Sequence, residues 1–373
     1  MTQFKNRVFG CVIVKSINSN YNADFSHQPR MLPNGVVYAT DKALKYAVKN
    51  YIKDNYKDEN VFYFKRFRKD FIPLSLMEAF ISMFPGLAEI KDVVTEKVKL
   101  KATKKQVSAA LLKCIDIKLF GATFAMKGAS KEDNLALSIH GPVQINHGIN
   151  VWKENNIYSE QIMSPFRNPK EKSQDSADDE NQDKEATTLG RQSKLQEGHY
   201  LHHFSINPNN LSEVIKLTED ENLNLNDDNI SILKNAFRKG VTYYDSASKA
   251  GTDNECLIWV KLKDTSKSVL PNFSSLIKEV KTKEHDIKRE IDLQKVEELV
   301  NNNINEIEEV EIYLDGNSLG FKDYIFEVKE DNVESNNINE EKQIDKDVSG
   351  VLKFFDLISG KELNATKLPK ANG

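Results

Sequence analysis

Lys42, Lys45, Lys49 and Lys53 recur at intervals of three and four residues. On an α-helix that spacing puts them along one face. Such a face is either a solvated surface or a ridge that tracks phosphates. Phe62 to Lys69 reads Phe-Tyr-Phe-Lys-Arg-Phe-Arg-Lys. Rings in such a run can stack on nucleobases while the cations neutralise phosphate; the competing reading is a half-buried strand with a basic outer face. His199, His202 and His203 lie close together. On a strand His199 and His203 share a face and His202 takes the other. They are read as non-ligands, with no nearby carboxylate or cysteine completing a metal set. Two acids stand near interesting turns. Asp24 lies in a polar loop beside Asn20, Asn22, Ser26 and His27, and Asp116 leads into Ile117 and Leu119, where it would cap or anchor a strand. Metal-assisted hydrolysis needs a carboxylate placed to hold an ion or orient the attacking group, and Asp24 stands alone. Phosphate-loop, dinucleotide-binding, zinc-protease and nucleophile-elbow motifs are absent.

The elements that must position these residues follow from periodicity. Arg7–Lys15 is apolar on both alternating faces, the pattern of a strand covered on both sides. Residues 16–38 form a long polar loop with a Pro33-Asn34-Gly35 turn. Thr40 is placed to cap a helix running to about Asp54, with Leu44, Ala47, Val48, Tyr51 and Ile52 as its apolar stripe. A short helix is expected over 73–84. Thr103 and Gln106 form a capping box for a helix whose core face is Val107, Ala110, Leu111 and Cys114. Two apolar runs, beginning at Asp116 and Leu135, flank the Lys127–Asn134 loop and read as paired core strands. Gly121 breaks the first and Gly141-Pro142 the second; such glycines mark a bulge or a close backbone approach, and the proline a kink or an edge. Residues 163–167 look like an ordered turn, 171–185 like an acidic insertion too polar to order itself. A strand is expected over 188–207, a helix over 226–238, a strand over 254–263. Helices near 273–280 and 291–301 follow, then a strand pair at 310–314 and 319–328, and an Asn/Glu-rich segment at 332–347.

A chain of 373 residues with 39% hydrophobic content can bury a large core. No apolar run approaches the ~20 residues of a membrane-spanning helix, and no secretory leader is read at the N-terminus. Cys11, Cys114 and Cys256 are far apart in apolar surroundings, as expected of buried thiols in a reducing cytoplasm. The net charge of −4 hides an asymmetry: residues 1–168 carry 25 Lys+Arg against 15 Asp+Glu, the remainder 27 against 41. An excess of cations in one half is a hint of polyanion binding.

Asp116-Ile-Lys-Leu-Phe-Gly-Ala-Thr together with Ser138-Ile-His-Gly-Pro-Val-Gln resembles the backbone subunit of type I CRISPR Cascade complexes. This is the Cas-seven family of RAMP proteins, and its type I-B branch fits best. Asn6-Arg7, Gln28-Pro29-Arg30 and Ser205-Ile-Asn-Pro agree, so the resemblance extends discontinuously over about 260 residues. In type I-B relatives the first loop reads Asn-Pro-Asn-Gly-Asp; here it is Asn18-Ser-Asn-Tyr-Asn-Ala-Asp24, without Pro or Gly. The order of elements suits an α+β ferredoxin-like sheet, and the resemblance implies a modified RRM palm with large inserted thumb and finger-like subdomains. Together with composition this divides the chain into 1–168, the first part of the palm with basic insertions, 169–187, an acidic disordered insertion, 188–263, the rest of the palm, and 264–373, an acidic C-terminal α/β segment. The resemblance further implies a non-catalytic cytoplasmic subunit that polymerises along the crRNA spacer and presents it to target DNA, with other Cascade subunits as partners, no membrane, no metal and no cofactor. Arg30, Lys42, Lys45, Lys49, Phe120, Gly121, Gln144, Arg167 and Arg191 are the expected RNA contacts. The alternative is a RAMP endoribonuclease that cleaves guide-bound target RNA with Asp24.

Overall fold

The computed structural model describes residues 2–92, 97–127, 134–163, 188–282, 288–328 and 351–368. The expected insertion at 171–185, most of the 163–167 turn with Arg167, and the 332–347 segment lie outside these residues.

Val8–Ser19 runs through the middle of an eleven-stranded mixed sheet. Its antiparallel neighbours are Thr188–Ile206 and Thr252–Leu262. Every residue from Val8 to Val14 is buried. Val8, Val12 and Val14 enter one core and Phe9, Cys11 and Ile13 another, because successive side chains of a strand point to opposite faces. Beyond Thr252–Leu262 the sheet continues through Ile307–Leu314, Leu352–Asp356, Glu362–Lys367 and Tyr324–Val328; on the other side lie Gly148–Asn150 and Tyr38–Ala39. Val143–Ile145 and Ile157–Met163 also pair with Thr188–Ile206.

The first core is roofed by two helices, Asp41–Asn55 and Asp227–Tyr243. Leu44, Ala47, Val48 and Ile52 of the former and Ile230, Leu233 and Phe237 of the latter are buried. The second core lies on the opposite face, under Phe273 and the Gln294–Asn302 helix. A third cluster joins Phe62, Phe80, Leu111, Phe124 and Ile139 to Leu211. It holds together the Leu76–Met83 and Lys104–Leu112 helices, both begun by full capping boxes, and the Gly121–Met126/Leu135–His140 hairpin. Seven α-helices occur among the described residues, and none is long and apolar enough to cross a membrane. All three cysteines are buried and free.

Four elements differ from expectation. Ile115–Phe120 is a short helix rather than a strand; Ile115, Asp116, Ile117 and Leu119 are all buried, and a short apolar run fits a buried helical turn as well as a strand. Residues 61–69 form no strand, because Phe62 is drawn into the third core and Phe64 stacks on Tyr46, 5.1 Å between ring centres. The helix expected near 273–280 is one turn, Phe273–Ser275. Ile307–Leu314 does not pair with the strands that follow it: it lies parallel to Leu352–Asp356, while Leu319–Phe321 joins Arg289–Ile291 and Tyr324–Val328 joins Glu362–Lys367. Alternation identifies a strand without naming its partner.

Candidate nucleic-acid interface

Three segments distant in sequence converge where the Asp41–Asn55 helix begins. The Asn22 side chain accepts hydrogen bonds from the Thr40 N–H (2.9 Å) and hydroxyl (3.0 Å). Thr40 stands at the N-cap position, yet its side chain caps nothing. The free N–H of Asp41 is instead directed at His147 Nδ1, 3.3 Å away. Sequence reasoning missed this exchange of partners; the only signal was that Asn22 and His147 lie in stretches already of interest. The result ties the first loop, the helix start and the turn between Val143–Ile145 and Gly148–Asn150 into one edge of the sheet.

Within that loop the Asp24 Oδ1 accepts from Ser26 N–H (2.8 Å), the Ser26 hydroxyl (2.9 Å) and Gln28 N–H (2.9 Å). The Gln28 amide first of all, with the Ser26 groups and the Arg30 charge, holds this exposed carboxyl below its ordinary pKa. Arg30 continues the same turn, its carbonyl accepting from Tyr38 N–H at 2.9 Å. The Arg30 Nε is buried and has no hydrogen-bond partner. A buried guanidinium N–H with no acceptor is costly unless an anion meets it.

The lysines of the helix divide sharply. Lys42 is exposed and has no protein partner among the described residues. Lys45 pairs with Asp41 one turn away at 3.1 Å and lies 5.5 Å from the centre of the Phe120 ring. Lys49 is turned inward, donating to the Tyr63 carbonyl at 2.7 Å. Burial lowers its pKa, partly opposed by Asp116. Asp116 accepts from the N–H groups of Phe62 and Tyr63, both at 2.8 Å. Burial raises its pKa in spite of those bonds. It therefore anchors the 61–64 segment, not the strand that follows it. Lys53 pairs with Asp54 at 2.5 Å.

The glycine motifs meet each other. Gly121 has φ 74°, and a Cβ there would lie 2.2 Å from the Ile139 carbonyl oxygen; one on Gly141 would lie 2.1 Å from the Phe120 carbonyl carbon. Only two glycines allow this crossing, where the chain leaves the hairpin for the main sheet. The Gly141 carbonyl accepts from Gln144 Nε2 (2.8 Å) and Asn210 Nδ2 (3.1 Å). Gln144 is exposed opposite Ser205, so the Ser205-Ile-Asn-Pro stretch lies beside Gly141-Pro-Val-Gln. Arg191 is exposed on the paired ribbon Ile157–Met163/Thr188–Leu195, which is joined to the first loop by Asn20 Nδ2 donating to the Ser193 carbonyl at 3.0 Å. Arg30, Lys42, Lys45, Phe120, Gly121 and Gln144 thus border one edge, Arg191 stands on the ribbon next to it, and Lys49 faces inward.

The histidines do have carboxylates near them, contrary to the sequence reading. His199 Nδ1 lies 2.6 Å from Glu255 and Nε2 3.1 Å from Glu197. These make an ion-pair network, extended by Arg289, which donates to Glu197 at 2.6 and 2.9 Å. Among the described residues no group of three or more His, Cys, Asp or Glu side chains is placed to hold a metal. A cleft of about 310 Å³ under the Asp227–Tyr243 helix is lined by Lys234, Arg238 and Lys261. Its cations are consumed: Lys234 pairs with Glu311, Lys261 with Glu308, and Arg238 donates to the Leu357 and Ile358 carbonyls.

The edge thus leaves Lys42 without a protein partner among the described residues and the Arg30 Nε without an acceptor. Residues 6–314 match the model of the family described as CRISPR-associated protein Cas7. The chain belongs to the Cas7 family. Among solved structures it is similar to a chain of a "CRISPR RNA-guided surveillance complex, pre-nicking", at 13% identity and TM-score 0.46, covering 85% of this chain and 96% of that one. A chain of a "CRISPR RNA-guided surveillance complex" matches at 12% identity and TM-score 0.40, over 82% and 88% of the two chains. No curated protein matches.

Proposed function

We propose that this chain is the crRNA-binding backbone subunit of a type I Cascade complex, of the I-B branch. Copies polymerise along the spacer, hold it through its phosphates and present its bases to target DNA, in the cytoplasm and beside other Cascade subunits. On this reading the eleven-stranded sheet contains the RRM-like palm, the cluster around Phe80 and Phe124 is an inserted finger-like subdomain, and the ribbon carrying Arg191 is the base of the thumb. The observation that carries the reading is Arg30. Its Nε finds no acceptor within the protein, on an edge where Lys42 is also unmatched, and a shift of the side chain would let it meet a phosphate oxygen. Lys45 and Gln144 would flank the strand, and Phe120 and Gly121 would shape its path. Lys49 would act indirectly, by fixing the 61–64 segment.

The endoribonuclease alternative is less well supported. Three hydrogen bonds already engage Asp24 Oδ1 within its own loop, so the carboxylate serves the turn. Two experiments test the proposal. Protein purified from its native host should carry small RNA of uniform length on a denaturing gel; nucleic-acid-free protein would count against it. The assembled protein–guide complex, incubated with complementary RNA and magnesium or manganese, should leave that RNA intact. Periodic cuts that vanish in Asp24→Ala would favour the nuclease.

A further inference from the structure

The 65–74 segment, rich in rings and cations, takes no part in the edge described above. It forms a small hairpin: Phe67 pairs with Pro73, Arg68 N–H donates to the Ile72 carbonyl (2.8 Å), and Leu74 N–H to that of Arg66 (2.9 Å). Its base is held on both sides. Arg66 donates to the Val61 carbonyl at 2.5 Å and the Phe62 carbonyl at 3.2 Å. Arg68 reaches Glu78 on the neighbouring helix at 3.3 Å. The tip is different. Phe71 is 85% exposed, Phe67 55% and Ile72 49%.

Phe71 has φ 64°. In a three-residue hairpin loop this left-handed position favours glycine, and a bulky residue there is strained. Neither backbone preference nor burial accounts for a phenylalanine at this site. Its surroundings are cationic. Lys69 has no protein partner among the described residues, Lys65 lies 4.8 Å from the Phe67 ring centre, and the single acid of the tip, Asp70, is paired with Arg68 at 3.3 Å. Exposed rings on a braced stalk, beside the unpartnered Lys69, fit a strand with bases on one side and phosphates on the other.

We propose that the 65–74 hairpin is a second nucleic-acid contact, in which Phe71, supported by Phe67, stacks on an unpaired base while Lys69 meets the adjoining phosphate. It rests on the backbone-subunit reading only in taking a single strand to be present. The strand is the guide or its target, and matched RNA and DNA oligomers distinguish the two.

The test uses the full chain, fluorescently labelled oligo-uridine and oligo-thymidine, and the same backbones made abasic. Phe71→Gly relieves the left-handed strain, so it should fold at least as well as wild type. It should bind the base-bearing strand about 5- to 100-fold more weakly, with the salt dependence unchanged. Phe71→Trp should retain binding, and all three proteins should bind the abasic strands alike. Wild-type affinity in Phe71→Gly would overturn the proposal. So would an equal loss on abasic strands, or a loss confined to association between copies of the chain, which would make the tip a protein contact. Changes at Arg30 and Lys42 act on the salt dependence instead, so failure of the hairpin contact and failure of the backbone reading are separable.

Discussion

The network around His199 and the edge around Arg30 use charge in opposite ways. At His199 two carboxylates, Glu197 and Glu255, face two cationic partners, His199 and Arg289, at 2.6 to 3.1 Å. Glu255 and His199 are almost wholly buried. The network is electrically closed and needs nothing from outside, apart from Glu255 Oε1, which has no hydrogen-bond partner. At the edge, Arg30 keeps a buried Nε without a partner and Lys42 has no counter-charge among the described residues; nor has Arg191 on the ribbon beside it. On the proposed reading, the cation left without a partner is the feature that meets the nucleic acid, and the closed network serves the fold.

If the His199 network belongs to the fold, breaking it should produce the largest change in stability. Glu255→Gln removes one partner of a buried pair and should cost about 3–5 kcal/mol in urea unfolding, while leaving the salt dependence of RNA binding unaltered in the folded fraction. A small loss would show that the network is more hydrated than its burial implies.

Titration should show the network next. Burial alone would lower the His199 pKa, but Glu255 and Glu197 outweigh it and raise it from 6.5 to about 9. A raised folded pKa gives stability that is complete below the unfolded value and lost as pH climbs through the folded one. On the opposite face of the same strand, burial lowers His202 from 6.5 to about 4, so its contribution is present above 6.5 and lost as pH falls towards 4. These two groups together place the stability maximum near pH 6.5. The His199 part of the alkaline change should be a loss on the order of 3 kcal/mol by pH 9, partly offset as Lys249, lowered by burial to about 8, sheds its proton, and that loss should shrink in Glu255→Gln. An alkaline limb that persists in the variant would assign it to other groups.

A smaller effect is expected at the glycine crossing. Gly121→Ala places a Cβ against the Ile139 carbonyl at a left-handed position and should cost about 2 kcal/mol, measured by urea unfolding. RNA affinity should fall more than this if the crossing shapes the path of the strand.

Much of this arrangement was legible in the sequence. The first strand, covered on both faces, the helix from Asp41, the Thr103–Gln106 capping box and the glycine motifs all follow from local pattern. The short helix at Ile115–Phe120 did not, because one buried helical turn and a short buried strand hide the same residues. The partners of Ile307–Leu314 were invisible because register and pairing depend on distant chain. At the edge, residue type suggested four equivalent lysines. Only tertiary packing separated Lys42, left exposed, from Lys45, paired with Asp41, and Lys49, drawn into the Tyr63 carbonyl. The Glu255 partner of His199 lies 56 residues away in sequence, beyond the reach of any local motif.

The central claim is that the unmatched cations of the Arg30 edge hold a single strand by its phosphates. It is tested most directly by the salt dependence of RNA binding in wild type and in the Arg30→Ala/Lys42→Ala double variant. Substitutions at this edge should leave stability within about 0.5 kcal/mol for Lys42, which is exposed. With both contacts removed, the slope of log K against log salt should become shallower by about 1.4, or 0.7 for each phosphate contact. A folded double variant with the wild-type slope would contradict the account.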